Sequence, residues 1–256
     1  MNASPFDLNG RLALVTGASR GIGRALSIGL AEAGADVVAV ARSKAGLSET
    51  AAAVEATGRA CTVLTADVSE PAHVERLFAE IDALGLSPDI LVNNAGMEEV
   101  RPSLDVDEAL WDRILNTNLK GAFFVARDFA RRLCHAGSGG AIVNTCSLTS
   151  AVGVATAAPY TASKSGLLGL TRALSTEWSP RGIRVNGIGP GYLRTELTET
   201  FYQDDAWQRA MLAKIPMGRF GELEDLVGAC VYLASGASGY VTGQLLFVDG
   251  GYMASI

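Results

Sequence analysis

Short apolar runs alternate along the chain with longer stretches in which apolar residues recur every three or four positions. The short runs are rich in Val, Ile and Leu and predict buried strands at residues 12–16, 37–41, 62–65, 90–93, 141–146, 184–188 and 245–248. The longer stretches predict helices at residues 22–33, 45–56, 72–84, 108–133, 160–178 and 223–233. This alternation is typical of an α/β fold, a doubly wound parallel sheet with helices on both faces.

Composition favours a single domain. The 256 residues are 48% hydrophobic and 19% charged, and their glycines and prolines are spread among turns, without a linker or repeat. We therefore expect one domain over residues 1–256. Residues 192–216 break the alternation and carry an apolar set that predicts a lid over a substrate, with plain packing or a subunit contact as the alternatives.

The charge of the chain excludes two classes of partner. The formal net charge is −6, and no run of basic residues is longer than Arg131-Arg132, so neither a nucleic acid nor an anionic membrane would be attracted. The first residues lack the pattern of a signal peptide, and no apolar stretch approaches the ~20 residues of a membrane span. We expect a cytoplasmic protein.

Cysteine and histidine are scattered. Four cysteines in a chain of this length, without C-x-x-C spacing, predict reduced thiols and not a disulfide framework. The two histidines, His73 and His135, have no cysteine or histidine neighbours at metal-ligand spacing. A catalytic metal is not expected.

A glycine-rich turn follows the first predicted strand and opens the first predicted helix. At this place a tight turn lets backbone amides and the helix N-terminus meet the pyrophosphate of a dinucleotide. The turn contains Gly17, Ser19, Arg20, Gly21, Ile22 and Gly23.

Tyr160 and Lys164 stand four residues apart, which on a helix places them on one face. A tyrosine has a pKa near ~10 and exchanges protons poorly at neutral pH. A cation about 4 Å away would lower that pKa by up to about three units at an effective dielectric of about 20. The pair therefore predicts an acid/base tyrosine, although the same spacing also occurs on a solvated helix face.

The order of the motifs makes the pattern specific. The glycine turn is followed by Asp67-Val68, Asn94-Ala95-Gly96, Asn118, Ser147, the Tyr160/Lys164 pair and Pro190-Gly191. With these motifs the chain resembles the short-chain dehydrogenase/reductase family from Leu8 to Gly251, nearest the branch that contains gluconate 5-dehydrogenase. The resemblance implies a Rossmann-type sheet of about seven strands with its active site at the carboxyl edge.

The resemblance also implies a role for each motif. Tyr160 would exchange a proton with the substrate oxygen as hydride moves between the nicotinamide and carbon, and Lys164 would lower the tyrosine pKa and hold the nicotinamide ribose. Ser147 would hydrogen-bond the substrate oxygen, and Asn118 would hold a water in a proton relay. The implied cofactor contacts are Asp67 and Val68 at adenine, Asn94, Ala95 and Gly96 near a ribose, and Pro190, Gly191, Leu193 and Thr195 near the nicotinamide.

The end of the second strand predicts which nicotinamide cofactor is used. An NAD-type enzyme usually places an acidic residue there for the ribose hydroxyls, whereas this chain has Ala41. Arg42 comes next, and Arg20 lies in the glycine turn, so two guanidinium groups could grip a 2′-phosphate. We expect NADP(H) to be preferred, with NAD(H) possible. The alternative is that both arginines only face solvent.

The substrate is less determined. Enzymes of the gluconate 5-dehydrogenase branch tend to carry adjacent arginines after the Asn-Ala-Gly motif, where this chain has Glu98-Glu99. Two carboxylates would repel an acidic substrate unless Arg101 or Arg194 compensated, so the sequence favours a neutral ketone, keto-sugar or secondary alcohol. A sugar-acid dehydrogenase and a 3-oxoacyl-[acyl-carrier-protein] reductase are alternatives. The acidic net charge argues mildly against the latter, because its carrier protein is acidic too.

Two further expectations concern class and assembly. Outside the enzyme class, the same fold could serve a non-catalytic nicotinamide-binding regulator, but such a protein would be expected to lack a member of the Asn118, Ser147, Tyr160 and Lys164 set. The resemblance also implies a homotetramer, in which the helices at residues 108–133 and 160–178 pair across two-fold axes.

Overall fold

A parallel sheet of seven strands forms the centre of the molecule. The computed structural model describes residues 4–193 and 204–256. Within them the strand order is β3-β2-β1-β4-β5-β6-β7, and every neighbouring pair is parallel. The strands are β1 (Leu12–Thr16), β2 (Asp36–Ala41), β3 (Cys61–Thr65), β4 (Ile90–Asn93), β5 (Gly140–Thr145), β6 (Ile183–Pro190) and β7 (Leu245–Val248).

Helices connect these strands and cover both faces. They are α1 (Gly21–Glu32), α2 (Leu47–Ala56), α3 (Pro71–Ala83), α4 (Glu108–Leu115), α5 (Ala122–Ala136), α6 (Ala158–Trp178), α7 (Asp205–Leu212) and α8 (Val227–Ala234). A π-helical segment, Asn116–Gly121, joins α4 to α5, so the helix predicted over residues 108–133 is interrupted. The other predicted strands and helices are confirmed within two residues, except that the helix predicted from residue 223 begins as the 3-10 turn Leu223–Leu226.

Two apolar cores lie on opposite faces of the sheet. One core packs α1 and α8 against the sheet and is centred on Leu26, Leu30 and Cys230. The other packs α3 and α5 and is centred on Phe78 and Phe129, two of the largest fully buried side chains. A sheet that is buried on both faces is built from nearly continuous apolar strands, which is the pattern of the sequence. The predicted doubly wound fold is confirmed.

The strand order reverses beside β1, and this reversal positions the site. β1 pairs with β2 on one side and with β4 on the other, so the chain crosses over after β3. Loops at the carboxyl ends of β1 and β4 therefore leave the sheet in different directions and open a crevice between them. Open α/β sheets bind their ligands at such a reversal.

The described residues also show the state of the cysteines, the grouping of possible metal ligands and the lengths of the helices. All four cysteines are free, and two of them, Cys146 and Cys230, are buried. Over residues 4–193 and 204–256, no group of three or more His, Cys, Asp or Glu side chains is placed to hold a metal ion. No helix in the same ranges has the length and apolar character needed to cross a bilayer.

Candidate active site

The glycine turn between β1 and α1 is built from close backbone contacts. A Cβ at Gly23 would lie 2.2 Å from the Gly17 carbonyl oxygen, and a Cβ at Gly17 would lie 2.9 Å from Ala95 Cα. Gly17 and Gly21 also have φ values of 66° and 52°, in the region that favours glycine. Only a chain without side chains at these positions can form this turn.

The turn leads directly into the N-terminus of α1. The helix begins at Gly21, and its N-cap residue, Arg20, has no side-chain acceptor to cap the first amides. These amides and the positive end of the helix dipole form the anion site that a dinucleotide pyrophosphate occupies in such folds. Because a Cβ would fill this cradle, the residues present fit the predicted cofactor.

Arg24 fastens the glycine turn to the loop that follows β2, a role that the sequence analysis missed. Its guanidinium donates to the carbonyl oxygens of Ser19 at 2.5 Å and Gly46 at 3.2 Å. Thr50 adds a bond from its hydroxyl to the Ala18 carbonyl, 2.8 Å long. An arginine at this position of an amphipathic helix carries no sequence signal beyond its charge, because its partners are backbone carbonyls from two separate loops.

The two arginines that were predicted to bind a 2′-phosphate lie at the same edge of the sheet, near the end of β2. Thr16 pairs with Val40, and the amide of Ala18 donates to the Val40 carbonyl at 3.0 Å. The glycine turn and the residues after Ala41 are therefore neighbours. Arg20 and Arg42 are both exposed at this edge, and Arg42 has no ion pair within the described part of the chain.

Asp67 and Val68 follow β3 at the same edge. Asp67 Oδ1 accepts from both the amide and the hydroxyl of Ser69, at 3.0 and 2.7 Å, which makes a local turn. The N-cap of α3 is Glu70, so neither Asp67 nor Ser69 caps that helix. Val68 is buried, and its carbonyl would meet a Cβ at Gly121 at 2.6 Å.

Asn94 holds the ends of β1 and β4 together. Its side-chain amide donates to the carbonyls of Thr16 and Gly17, at 3.1 and 3.3 Å. The hydroxyl of Thr16 in turn accepts from the amides of Asn94 and Ala95, at 3.0 and 3.1 Å. The predicted ribose segment at residues 94–96 is therefore also the brace of the glycine turn, and Thr16 is a part of this brace that the sequence did not reveal.

Ser147 caps a short 3-10 helix, Leu148–Ser150, immediately after β5. Its hydroxyl accepts from the Thr149 amide at 3.2 Å, and the Ser150 hydroxyl donates to the Lys164 carbonyl at 2.9 Å. The cap orients Ser147, whose hydroxyl lowers the pKa of the Tyr160 phenol. Ser147 thus serves as a cap at the end of β5, on the side of the strand where Lys164 bonds to Thr145.

Tyr160 and Lys164 share one face of α6, as their spacing predicts. Lys164 is 4% exposed, its Nζ lies 5.6 Å from the centre of the Tyr160 ring, and it donates to the Thr145 carbonyl at 2.7 Å. A Cβ at Gly96 would lie 3.6 Å from the same Nζ. The pair therefore lies between the ends of β4 and β5.

One electrostatic expectation differs from the structure. Burial, followed by the charge of Glu98, raises the pKa of the Tyr160 phenol, and the hydrogen bond with Ser147 lowers it. Burial also lowers the pKa of Lys164. The expected lowering of the tyrosine pKa by Lys164 is not seen in this structure, because burial disfavours the phenolate and outweighs the other influences.

Asn118 lies in the π-helical segment and bonds to two other parts of the site. Its Oδ1 accepts from the Met97 amide, and its Nδ2 donates to the Met97 carbonyl, both at 2.8 Å. Nδ2 also donates to the Ser163 hydroxyl at 3.1 Å, and that hydroxyl bonds to the Tyr160 carbonyl. A π-helical turn at this place rotates the side chain into the site, as such turns often do at functional positions.

The predicted nicotinamide segment lies only partly within the described residues. Pro190 ends β6, and the amide of Gly191 donates to the Val248 carbonyl at 2.9 Å. A Cβ at Gly191 would lie 2.6 Å from Asp249 Cα, and Leu193 is buried against Gly221. Thr195, Arg194 and the centre of the predicted lid fall outside the described residues.

The chain matches known proteins over nearly all of its length. A family model described as enoyl-(acyl carrier protein) reductase matches residues 17–253. The 2-dehydro-3-deoxy-D-gluconate 5-dehydrogenase of Dickeya dadantii is 41% identical, covering 99% of this chain and 100% of that enzyme. The alternative of a non-catalytic regulator has no support in such relatives, which carry the names of dehydrogenases.

Solved structures agree with this assignment. A Sinorhizobium meliloti protein, provisionally described as a short-chain alcohol dehydrogenase, is 57% identical with a TM-score of 0.95, covering 99% of this chain and 100% of that one. A gluconate 5-dehydrogenase of Burkholderia cenocepacia, in complex with NADP and tartrate, is 39% identical with a TM-score of 0.95 and 98% coverage of both chains. The chain therefore belongs to the short-chain dehydrogenase/reductase family and is an oxidoreductase acting on CH-OH groups.

Proposed function

We propose that this oxidoreductase uses NADP(H) to interconvert a ketone and a secondary alcohol, with Tyr160 as the acid/base. The observation that carries the proposal is the convergence of Ser147, Tyr160 and Lys164 at the carboxyl ends of β4 and β5, with Asn118 bonded beside them. The four side chains come from three separate parts of the chain: the π-helical segment, the turn after β5 and α6.

Each side chain has a task in ketone reduction. Ser147 would donate to the substrate oxygen and hold it beside the phenol, and Tyr160 would give that oxygen its proton. The raised pKa of Tyr160 keeps the phenol protonated, which suits this step. Lys164 would stabilise the phenolate that remains and return a proton to it. The nicotinamide would supply the hydride to the substrate carbon, or accept it in the reverse direction.

The preference for NADP(H) rests on the edge formed by Arg20 and Arg42. Two exposed guanidinium groups on neighbouring loops suit a 2′-phosphate, while Ala41 offers no acceptor for ribose hydroxyls. Relatives with bound NADP at 39–43% identity support the same preference. Use of NAD(H) at lower efficiency is compatible with this arrangement.

The substrate proposed is a neutral ketone or keto-sugar, with a sugar acid as the second candidate. The second candidate is favoured by the names of relatives at about 40% identity and by the tartrate bound in one of them. Against it, Arg101 is engaged by Glu99 and by Asp107, so this arginine is not open to a substrate carboxylate.

Three broader features complete the proposal. Residues 1–256 would act as one domain with residues 192–216 as its lid, for which the edge-to-face contact of Tyr192 with Trp207 offers support. A homotetramer is supported by the exposed apolar side chains of Leu104 and Trp111, beside and on α4. A cytoplasmic location is also proposed, and the four free cysteines support it, since disulfides are rare in that compartment.

The test replaces Tyr160 by Phe and measures NADPH-dependent reduction of a panel of ketones. Loss of the proton donor should lower kcat/KM by roughly a hundred- to ten-thousand-fold, with NADPH binding retained. Tyr240→Phe is the matched control, because Tyr240 is fully exposed. If Tyr160→Phe kept the activity of the parent enzyme, the proposal would be overturned.

A further inference from the structure

The segment from Met97 to Arg101 forms a wall beside the catalytic side chains. Asn118 holds both main-chain groups of Met97, and the Arg101 amide donates to the Thr156 carbonyl at 2.8 Å. Thr156 has a φ of 66°, the one positive value at a non-glycine in the ranges described, so its carbonyl is held in place at a cost in strain. The wall thus spans the gap between the π-helical segment and the start of α6.

The two adjacent carboxylates of this wall have different surroundings. Glu99 is bonded by Arg101 at 2.5 Å and by Arg113 at 2.8 Å, so its charge is compensated. Glu98 is partly buried, and no hydrogen bond or ion pair reaches it from residues 4–193 or 204–256. A carboxylate that is partly removed from water and has no partner is costly to keep unless a ligand completes its shell.

Glu98 also lies within electrostatic reach of the catalytic pair. Its charge raises the pKa of both Tyr160 and Lys164, although burial is the larger influence on each. Burial raises the pKa of Glu98 itself, while Lys164 opposes this shift. Two residues earlier in the chain, a Cβ at Gly96 would lie 3.6 Å from Lys164 Nζ. Glu98 therefore belongs to a segment that passes beside Lys164, and its charge acts on the catalytic pair.

We propose that Glu98 determines substrate specificity, by accepting a hydrogen bond from a hydroxyl group of a neutral polyhydroxy ketone and by repelling substrates that carry a carboxylate. This inference rests on the proposed function and selects its first candidate over the sugar acids. A carboxylate is a pure acceptor and pairs well with a hydroxyl next to the reacting carbonyl. The same charge disfavours an anion held in the same pocket.

The experiment compares three ketones with NADPH: D-fructose as a neutral polyhydroxy ketone, 5-keto-D-gluconate as an acidic one, and cyclohexanone, which has no hydroxyl group. Glu98→Gln keeps the shape of the side chain and removes its charge. We expect kcat/KM for fructose to fall roughly ten- to a hundred-fold, the change for losing a charge-assisted hydrogen bond. Cyclohexanone reduction should stay within about threefold, and 5-keto-D-gluconate reduction should rise.

A second variant and a control sharpen the result. Glu98→Arg should raise kcat/KM for 5-keto-D-gluconate further, because it places a positive charge where the negative one stood. Glu80→Gln removes an exposed carboxylate from α3 and should leave kcat/KM for each of the three ketones unchanged. NADPH binding by every variant, measured by titration, establishes that the fold and the cofactor site are intact.

The outcomes separate the inference from the function on which it rests. Equal changes for all three ketones in Glu98→Gln, or a parent enzyme that prefers 5-keto-D-gluconate to fructose, would overturn the role of Glu98 while the oxidoreductase function stands. If the parent enzyme bound NADPH but reduced no ketone of this set or of the wider panel, the proposed function itself would fail.

Discussion

The glycine turn and the wall of residues 97–101 leave the same edge of the sheet, from the neighbouring strands β1 and β4. In the turn, backbone atoms approach so closely that no side chain fits at Gly17 or Gly23. In the wall, Asn118 holds the main chain of Met97 by two hydrogen bonds. The next side chain, Glu98, has no hydrogen bond or ion pair with the described residues. Close backbone contacts therefore restrict the residue types that the glycine turn can contain. No such contact restricts the side chain at position 98, which can differ according to the substrate.

The largest effect is expected where the backbone is the constraint. Gly23→Ala places a Cβ 2.2 Å from the Gly17 carbonyl oxygen, and because that atom belongs to the backbone, the turn itself must move. We expect NADPH affinity to fall by at least about a hundred-fold, since a misplaced cradle loses several charge-assisted bonds at once. Titration of NADPH measures this.

A matched glycine provides the control for this prediction. Gly228 lies in α8, is exposed, and has no atom within 4 Å of an added Cβ. Gly228→Ala should leave NADPH binding unchanged and stabilise the protein by roughly 0.5–1 kcal/mol. Equal NADPH affinity in both variants would show that the turn tolerates a side chain and that the close contacts do not define the cofactor site.

The same contrast explains how much of the molecule the sequence predicts. All seven strands were located because buried parallel strands leave continuous apolar runs, and the glycine turn was located because close backbone approach permits only glycine. The π-helical segment was missed, since one extra residue in a turn leaves the apolar pattern on both sides intact. Tyr160 and Lys164 were paired correctly by their spacing on α6.

What the sequence could not predict depends on partners that are distant along the chain. The Thr145 carbonyl that accepts a hydrogen bond from Lys164 lies at the end of β5, and a backbone carbonyl has no signature in the sequence. The Glu98-Glu99 pair was predicted to act as two charges near the pocket. Arg113, fourteen residues after Glu99 in the sequence, bonds to Glu99 and compensates its charge. Glu98 is left without a hydrogen bond or ion pair from the residues that the structure describes.

The second prediction weakens the wall at its main chain. Asn118→Ala removes the bonds to both main-chain groups of Met97 and to the Ser163 hydroxyl. We expect roughly a hundred-fold loss in kcat/KM and a fall of about 2–4 kcal/mol in the free energy of unfolding, from buried groups left without partners. Kinetics and denaturant unfolding measure the two effects.

A conservative variant tests whether the geometry of the amide matters. Asn118→Asp keeps an acceptor for the Met97 amide but places an oxygen against the Met97 carbonyl, so it should recover little activity. Full activity in Asn118→Asp would mean that the bond to the Met97 amide alone holds the wall.

The third prediction concerns Arg42, an exposed residue that we expect to contact the cofactor. Arg42→Ala should raise the KM for NADPH roughly ten- to a hundred-fold and barely alter the use of NADH, because one charge-assisted contact to the 2′-phosphate is lost. Arg181→Ala, at another exposed arginine, is the control. A parent enzyme that used both cofactors equally, or an Arg42→Ala variant that behaved like it, would leave Arg42 as a surface residue.

The smallest effect is expected from the charge of Glu98 on proton transfer. Its negative charge opposes ionisation of Tyr160 and favours protonation of Lys164, so it raises the pKa of both groups. Glu98→Gln removes this influence, so the pKa values of Tyr160 and Lys164 should both fall. Burial remains the largest influence on each of them. Alcohol oxidation needs the phenolate and increases as pH rises through the tyrosine pKa, whereas ketone reduction needs the phenol and declines there. The pH profiles of kcat/KM in both directions should therefore move to lower pH in the variant.

The measurement uses cyclohexanone and cyclohexanol at saturating cofactor, since neither offers an extra hydroxyl group to Glu98 and a change in substrate binding would otherwise obscure the shift. Glu99→Gln is the informative neighbour, because the charge of Glu99 is compensated by Arg101 and Arg113. Profiles that moved to higher pH in Glu98→Gln, or that moved equally in both variants, would show that the wall influences the catalytic pair through its overall shape. A shift that occurs in Glu98→Gln and not in Glu99→Gln would show that the Glu98 side chain acts on proton transfer as well as on substrate choice.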